Sequence, residues 1–254
     1  MPETSKPNYP IESVDRALRL LSILCTRSSV SLSEVAEELS ITRSSAHRLA
    51  AMFLWHGYAR QDTRTKDYLV GPRLLELGLG ALRHIEMAGH ARPLLREIAE
   101  RFDETVHLVA LNRTAVAYID GIESSKALRA GLRIGMSRPA HATAAGKVLL
   151  AQLPAAELDA LYPDPELPSS TPNTIVRRTD LDRELAHIRA RGYALNNQES
   201  EPGLSAVAVA LPDPTDFIRT AVSVAIPSMR ADDAFVSELG HLLIERASGL
   251  AEPH

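Results

Sequence analysis

The sequence predicts an α+β fold in two parts, a small helical head followed by a larger body built on an antiparallel sheet. Three observations carry that reading. Helix signals crowd the segment before Gly57 and give way to two short strand-like runs. Beyond about residue 90, β-rich runs at hairpin spacing alternate with stretches of helical period. The length of 254 residues also exceeds the roughly 100–200 of a single domain. Composition agrees: 45% hydrophobic and 24% charged residues exclude a wholly disordered or fibrous chain.

The first helix is predicted from Ser13 as N-cap, with Val14, Ala17, Leu18, Leu21 and Leu24 at helical spacing. Ser31-Leu32-Ser33-Glu34 carries the capping-box pattern, a serine followed three residues later by glutamate, and opens a short second helix over 32–39. Its apolar stripe is Leu32, Val35, Ala36 and Leu39. Ser40-Ile41-Thr42 makes a tight turn with Thr42 as the next N-cap. A third helix then runs over 43–56 and stops at Gly57, a residue suited to the left-handed C-terminal position. Strands over 58–61 and 68–70 flank the polar tip Asp62-Thr63-Arg64-Thr65-Lys66-Asp67. Three helices and a β-hairpin in this order make a winged helix-turn-helix over residues 1–73.

Gly71-Pro72 ends the wing, and a leucine-rich linker helix is predicted over 74–88, within a connecting segment 74–89. Gly78 and Gly80 weaken it by roughly 1 kcal/mol each, serving either as weak points or as places of close helix packing. The body, 90–254, starts with an amphipathic helix over 92–102. Strands over 105–111 and 115–119 are joined by Asn112-Arg113-Thr114, and a break from Pro139 to His141 leads into a helix over 142–153. Residues 154–172 are proline-dense and read mostly as surface loop with one short helix. Thr179 is expected to cap a helix over 180–191 that Gly192 stops. Strands over 193–196, 204–211 and 217–226 and a last helix over 232–246 complete the chain.

A net charge of −4 argues by itself against a polyanionic partner, but the charges are unevenly placed. Divided at Leu75, the head is +2 and the remainder −6; between Ser40 and Leu75 six basic residues face two acidic ones. That concentration is what contact with a phosphate backbone requires. The third helix opens Thr42-Arg43-Ser44-Ser45-Ala46-His47-Arg48, with Ala46, Leu49, Ala50 and Phe53 on its apolar face. Arginine can bind guanine edges or clamp phosphate, and serine and threonine donate to either. Thr42, Arg43, Ser44, Ser45, His47 and Arg48, together with Arg64 and Lys66 of the wing, are the expected contacts to double-stranded DNA.

Six segments occur in a characteristic order. In the head they are Ser13-Val14-Asp15-Arg16-Ala17-Leu18, Thr42-Arg43-Ser44-Ser45-Ala46-His47-Arg48-Leu49 and Tyr68-Leu69-Val70-Gly71-Pro72. In the body they are His141-Ala142-Thr143-Ala144-Ala145-Gly146-Lys147, Arg191-Gly192-Tyr193-Ala194 and Glu201-Pro202-Gly203-Leu204. Together the chain resembles the IclR family of bacterial transcription regulators over nearly its whole length. The resemblance implies a GAF/PAS-like effector-binding and oligomerisation domain, an antiparallel sheet flanked by helices, behind the winged helix-turn-helix and linker helix. It also implies a homodimer or homotetramer on palindromic or repeated operators, controlled by a small metabolite, typically a carboxylate of a catabolic pathway. The family holds repressors and activators, and a repressor is expected ahead of an activator.

By the same resemblance the effector lies at the backbone amides of Ala144 and Ala145, where a helix start offers free N–H donors and a positive dipole. Leu204 belongs to this site. Asn196 stands where the family has an aspartate, Ala206 where it often has a cysteine, and Ser223 and Ala225 where it has two serines. Only Ser223 keeps the family residue. Neutral Asn196 removes an anion that would repel an acid, and the methyls of Ala206 and Ala225 make the site roomier and less polar. The expected effector is therefore larger or more apolar than glyoxylate or pyruvate, an aromatic or longer acid. Arg138 stands where relatives carry an apolar side chain; it is either an anchor for that acid or a surface loop arginine.

No catalytic set, metal site or cofactor is expected. An enzyme would need a nucleophile with its base, paired carboxylates or metal ligands. His84 and His90 are six apart, a poor ligand spacing, and Gly146-Lys147 matches the end of a phosphate-binding loop whose leading glycine is replaced by His141. His141 reads as a structural residue of a helix start, and Cys25 as a buried inert thiol. The single cysteine excludes an intramolecular disulfide framework and fits a reducing cytoplasm. Apolar runs of about ten residues are half a bilayer span, and the segment from Met1 to Pro10 has no signal-peptide core, so no membrane partner is expected. The sequon Asn112-Arg113-Thr114 has no secretory context. The rival reading is a DNA-binding regulator whose body only assembles and binds no effector.

Overall fold

The computed structural model describes residues 9–84, 86–212 and 218–250. The chain separates into one unit ending at His84 and another beginning at Ile85. In the first, α1 (Glu12–Thr26), α2 (Leu32–Glu38) and α3 (Arg43–Trp55) precede the hairpin β1 (Ala59–Gln61) and β2 (Tyr68–Val70), paired with Ala59 opposite Val70. The capping box of α2 is formed: Ser31 Oγ accepts from the Glu34 amide at 3.2 Å, and Glu34 accepts from the Ser31 amide at 2.7 Å. Each satisfies a donor that the first turn leaves free.

Three expectations for α1 fail. Extended Ile11, which carries no acceptor side chain, occupies the N-cap position, so Ser13 lies inside the first turn. The buried face is Leu20 and Leu24, with Ala17, Leu21 and Ile23 packed beside them, whereas Val14 and Leu18 are exposed. The helix meets the core only through its C-terminal half, so its early apolar residues have nothing to pack on within this unit. Cys25 is exposed rather than buried, because one further residue turns about 100° away from Leu24.

The helix α4 (Pro72–His84) begins just after the wing and leaves Leu75, Leu77 and Leu79 exposed. Gly78 and Gly80 have no atom within 4 Å of where a Cβ would stand, so neither provides close packing among the described residues. The predicted continuation of this helix to residue 88 crosses Ile85, which lies outside the described residues; so do the side chains of His84 and His90.

The second unit opens with α5 (Glu86–Phe102), which starts at Glu86 rather than at residue 92. There follow β3 (Thr105–Asn112), β4 (Ala115–Ile122), β5 (Ser137–Pro139), α6 (Ala144–Leu150), α7 (Ala155–Leu161), α8 (Arg178–Arg191), β6 (Ala194–Asn197), β7 (Leu204–Ala210), β8 (Thr220–Pro227) and α9 (Asp233–Gly249). The strands form one six-stranded antiparallel sheet in the order β5-β4-β3-β8-β7-β6. Alternation along the strands divides its side chains between two cores. Val106, Leu108, Val207, Val209, Val222, Val224 and Ile226 pack with Leu95 and Ile98 of α5 and Leu239 and Leu243 of α9. Val109, Val116, Ala208 and Ala221 pack on the other face with Ala144, Ala145 and Leu149 of α6 and Leu181 and Leu185 of α8.

Four further differences have local causes. The predicted helix over 142–153 is broken at Thr143: a single 3₁₀ turn spans Ala140–Ala142, and Thr143 then caps α6 by accepting from the Gly146 amide at 3.0 Å. The chain doubles back so tightly there that a Cβ on Gly146 would lie 2.1 Å from the Ala140 carbonyl oxygen. α8 starts at Arg178 with extended Arg177 as its uncapped lead, which places Thr179 inside the first turn. The proline-dense segment is not only surface: Leu158, Tyr162 and Leu167 close the core on the α6 side. The strand predicted from residue 217 begins at Thr220, and residues 213–217 lie outside the described residues.

Candidate nucleic-acid interface and effector site

Thr42 Oγ1 accepts from the Ser45 amide at 3.2 Å and donates to Ser45 Oγ at 3.0 Å, so both hydroxyls fix the start of α3. Arg43, Ser44, His47 and Arg48 project from that start and are exposed, while Ala46, Ala50 and Phe53 are buried beneath it. Gly57, at φ +76°, lets the chain turn directly from α3 into β1. At the wing tip, Asp62 Oδ1 accepts from the amides of Arg64 and Thr65 at 2.8 and 2.9 Å, which holds its carboxyl below the usual range. Arg64 and Lys66 stand exposed on that turn. Among the described residues, Arg43, Arg48, Arg60, Arg64 and Lys66 are in no ion pair, whereas Arg16, Arg27 and Arg73 are each paired with a glutamate. Arg19 of α1 is also in no ion pair but donates to the Glu38 carbonyl at 2.6 Å; the cations on the third helix and the wing are left available to phosphate.

In the second unit the register brings most of the expected effector residues together. Asn196 lies opposite Ala206, Ala206 opposite Ala225, and Ala225 opposite Thr105, while Ser223 lies between Ala208 and His107. Ala144 and Ala145 pack against this face from the start of α6. Asn196 is buried and serves the backbone: Nδ2 donates to the Ala142 carbonyl at 2.7 Å, and Oδ1 accepts from the Glu199 amide at 3.1 Å. Leu204 pairs with Pro227 and is half-buried at the end of the row. Arg138 comes from β5, opposite Val116, and its Nη2 is 3.8 Å from Glu201 Oε2. It also lines a cleft of about 410 Å³ with Thr114, His141, Tyr162 and Glu166. Of the expected effector residues, it is the one that faces that cleft.

Five residues outside the sequence-predicted set also stand around this face. Lys147 is 1% exposed, and its Nζ donates to both carboxylate oxygens of Glu199 at 2.6 and 2.7 Å, tying α6 to the β6–β7 turn. Burial pushes the Glu199 carboxyl up, and the Lys147 ammonium opposes that rise. His107 points from β3 toward the α6 side, edge-on to Tyr118 at 5.0 Å. It is 1% exposed, and its Nε2 has no partner. Burial, followed by the charge of Arg133, lowers its pKa to about 4, so the ring is neutral. Arg133, in the loop between β4 and β5, donates to Glu201 at 2.6 Å. A polar residue at an inward strand position was the available signal for His107; Glu201 stood in a motif already noted. The His141 ring is buried and donates to the Pro168 carbonyl at 2.9 Å.

A helix-turn-helix head with a cationic wing, carried by a chain whose second unit is a helix-covered antiparallel sheet, defines a DNA-binding transcription regulator. The family model for the C-terminal domain of the bacterial transcriptional regulator IclR matches residues 79–251, and that for the IclR helix-turn-helix domain matches residues 13–63. This chain belongs to the IclR family. It is 34% identical to the HTH-type transcriptional regulator XynR of Escherichia coli over 95% of both chains. It is 29% identical to the transcriptional repressor IclR of the same species, over 96% of this chain and 90% of that one. An IclR transcriptional regulator structure from Alicyclobacillus acidocaldarius superposes with TM-score 0.82 at 26% identity, covering 96% of this chain and 98% of that one. An IclR homologue from Microbacterium hydrocarbonoxydans, solved with 4-hydroxybenzoate, has the same fold with TM-score 0.79 at 22% identity, over 94% and 97% of the two chains. These matching families and relatives are transcription regulators rather than enzymes. No helix among the described residues is long and apolar enough to cross a membrane.

Proposed function

We propose that this protein is a cytoplasmic repressor that binds its operator as a homodimer or homotetramer and responds to an organic acid held on the α6 side of its sheet. The observation that carries the DNA part is the set of five unpaired, exposed cations on α3 and the wing. Arg43, Ser44, His47 and Arg48 read base edges and phosphates at the mouth of the major groove. Thr42 and Ser45 fix the helix start, and Arg64 and Lys66 clamp flanking backbone. Exposed Ile11, Val14 and Leu18 make an apolar stripe on α1, which supports assembly through a second copy. A relative named as a repressor supports repression.

Effector control is supported by the row Asn196–Ala206–Ala225 with Ser223, by Ala144 and Ala145 above it, and by Leu204 and Arg138 at its margins. The homologue that holds 4-hydroxybenzoate supports an aromatic acid in particular. Residues 1–73, 74–89 and 90–254 act as DNA reader, linker and sensor. One observation favours the rival assembly-only reading: Ala144 and Ala145 are 1% and 2% exposed, packed against the sheet. Operator release, followed by fluorescence anisotropy while catabolic acids are added, separates the two. Release by an acid supports the sensor, and retention under every acid supports assembly alone.

A further inference from the structure

We infer that Arg133 is the anion anchor of the effector site, that Glu201 is the carboxylate it holds until the effector arrives, and that Nε2 of His107 meets a hydroxyl or carbonyl of the same ligand. This rests on the second unit being the effector-binding unit. Three buried side-chain polar atoms have no hydrogen-bond partner among the described residues, and two of them, His107 Nε2 and Arg138 Nε, belong to this group. Such atoms are costly to leave unpaired, and both belong to residues that neighbour Tyr118.

The charges agree. Glu201 Oε2 is 2.6 Å from Arg133 and 3.8 Å from Arg138, so two guanidiniums face one carboxylate and a positive charge is left over. All three act on Tyr118, whose ring meets His107 edge-on. His107 itself faces Gly121 on one side and Ser223 on the other. The Leu132 side chain closes over Gly121, so the 123–136 loop roofs the imidazole. That loop is fixed at its start, where Thr105 Oγ1 donates to the Ala130 carbonyl at 2.6 Å and accepts from the Ser124 amide at 3.1 Å. It is also tied by the Lys126–Glu104 pair, by Gly135, whose amide donates to the Tyr118 carbonyl, and by the Arg133–Glu201 pair across 68 residues of sequence. A ligand carboxylate replaces Glu201 on Arg133 without creating an unpaired buried charge, because Glu201 is half-exposed and returns to water. The ligand class is therefore a hydroxy- or oxo-substituted carboxylic acid. The neutral imidazole selects the substituent, and the arginine takes the charge.

Calorimetry on the full chain tests this with two pairs of acids that differ by one hydroxyl, benzoate with 4-hydroxybenzoate and propionate with lactate. Glu201→Gln frees Arg133 and is expected to tighten carboxylate binding roughly tenfold, while Arg133→Gln weakens it by a similar factor. Arg133→Lys, which keeps the charge, restores part of the loss. His107→Phe is expected to abolish the preference for the hydroxylated member of a pair while leaving the parent acid within about twofold. Unchanged affinity in Arg133→Gln, or in Glu201→Gln, overturns the anchor assignment even where acids bind. Absence of binding to both wild type and Glu201→Gln overturns the effector reading and the anchor with it.

Discussion

Replacing Lys147 by methionine leaves the Glu199 carboxylate, 11% exposed, without the ammonium that lies 2.6 Å from it. Losing one partner of a buried pair costs about 3–5 kcal/mol. The carboxylate can escape by taking a proton, which sets a ceiling. Holding a group of ordinary pKa 4.5 protonated at pH 7 costs about 3 kcal/mol at 1.36 kcal/mol per pH unit. The expected loss at pH 7 is thus about 3 kcal/mol, or roughly 6–12 °C in the melting temperature of a unit this size. The sign with pH follows. Without the opposing ammonium the folded-state pKa of Glu199 rises further than in the wild type, so the added loss is small at low pH and grows as pH rises. The gap from wild type should shrink to about 1 kcal/mol near pH 5. Lys147→Met combined with Glu199→Leu should recover most of the loss, because both charges are then gone. Scanning calorimetry at both pH values is the assay. A double variant no more stable than Lys147→Met, or a gap that does not widen between pH 5 and 7, would refute the reasoning.

Three further outcomes are expected. His107 is held neutral at a pKa of about 4, whereas the unfolded chain protonates near 6.5, so its contribution to stability is present above 6.5 and is lost as pH falls toward 4. Urea titrations should show this decline, about 3 kcal/mol in all, flattened in His107→Phe. Arg64→Ala with Lys66→Ala should lower the slope of log affinity for DNA against log salt by about 1.8 per head, as measured by anisotropy; an unchanged slope removes the wing from the interface. Gly146→Ala drives a methyl toward the Ala140 carbonyl and should destabilise the second unit by at least about 1–3 kcal/mol, since backbone must move; a neutral melt would show that the turn yields.

What could be read in the sequence was local. Ser31 with Glu34, Thr42 and Gly57 mark their own helix ends within a few residues, and the structure uses each as marked. The N-cap of α1 escaped because Ile11 has no capping chemistry to display. The break at Thr143 was hidden in an apolar run whose period is helical on either side, and it is held by the Thr143 cap and the close approach of Gly146 to Ala140. In the site, the row from Asn196 to Ala225 follows from register and was reachable through the family motifs. The pairs Lys147–Glu199 and Arg133–Glu201 join residues 52 and 68 positions apart, and nothing in either stretch announces its partner.

The start of α3 is expected to read DNA. The direct measurement is footprinting of the full chain on the intergenic DNA beside its own gene, repeated with Arg43→Ala and Arg48→Ala at fixed salt. The account predicts a discrete protected site, whose specific affinity falls by about 1–3 kcal/mol in a variant that loses a base contact, while the fold melts unchanged. Protection that survives both substitutions at wild-type affinity would contradict it.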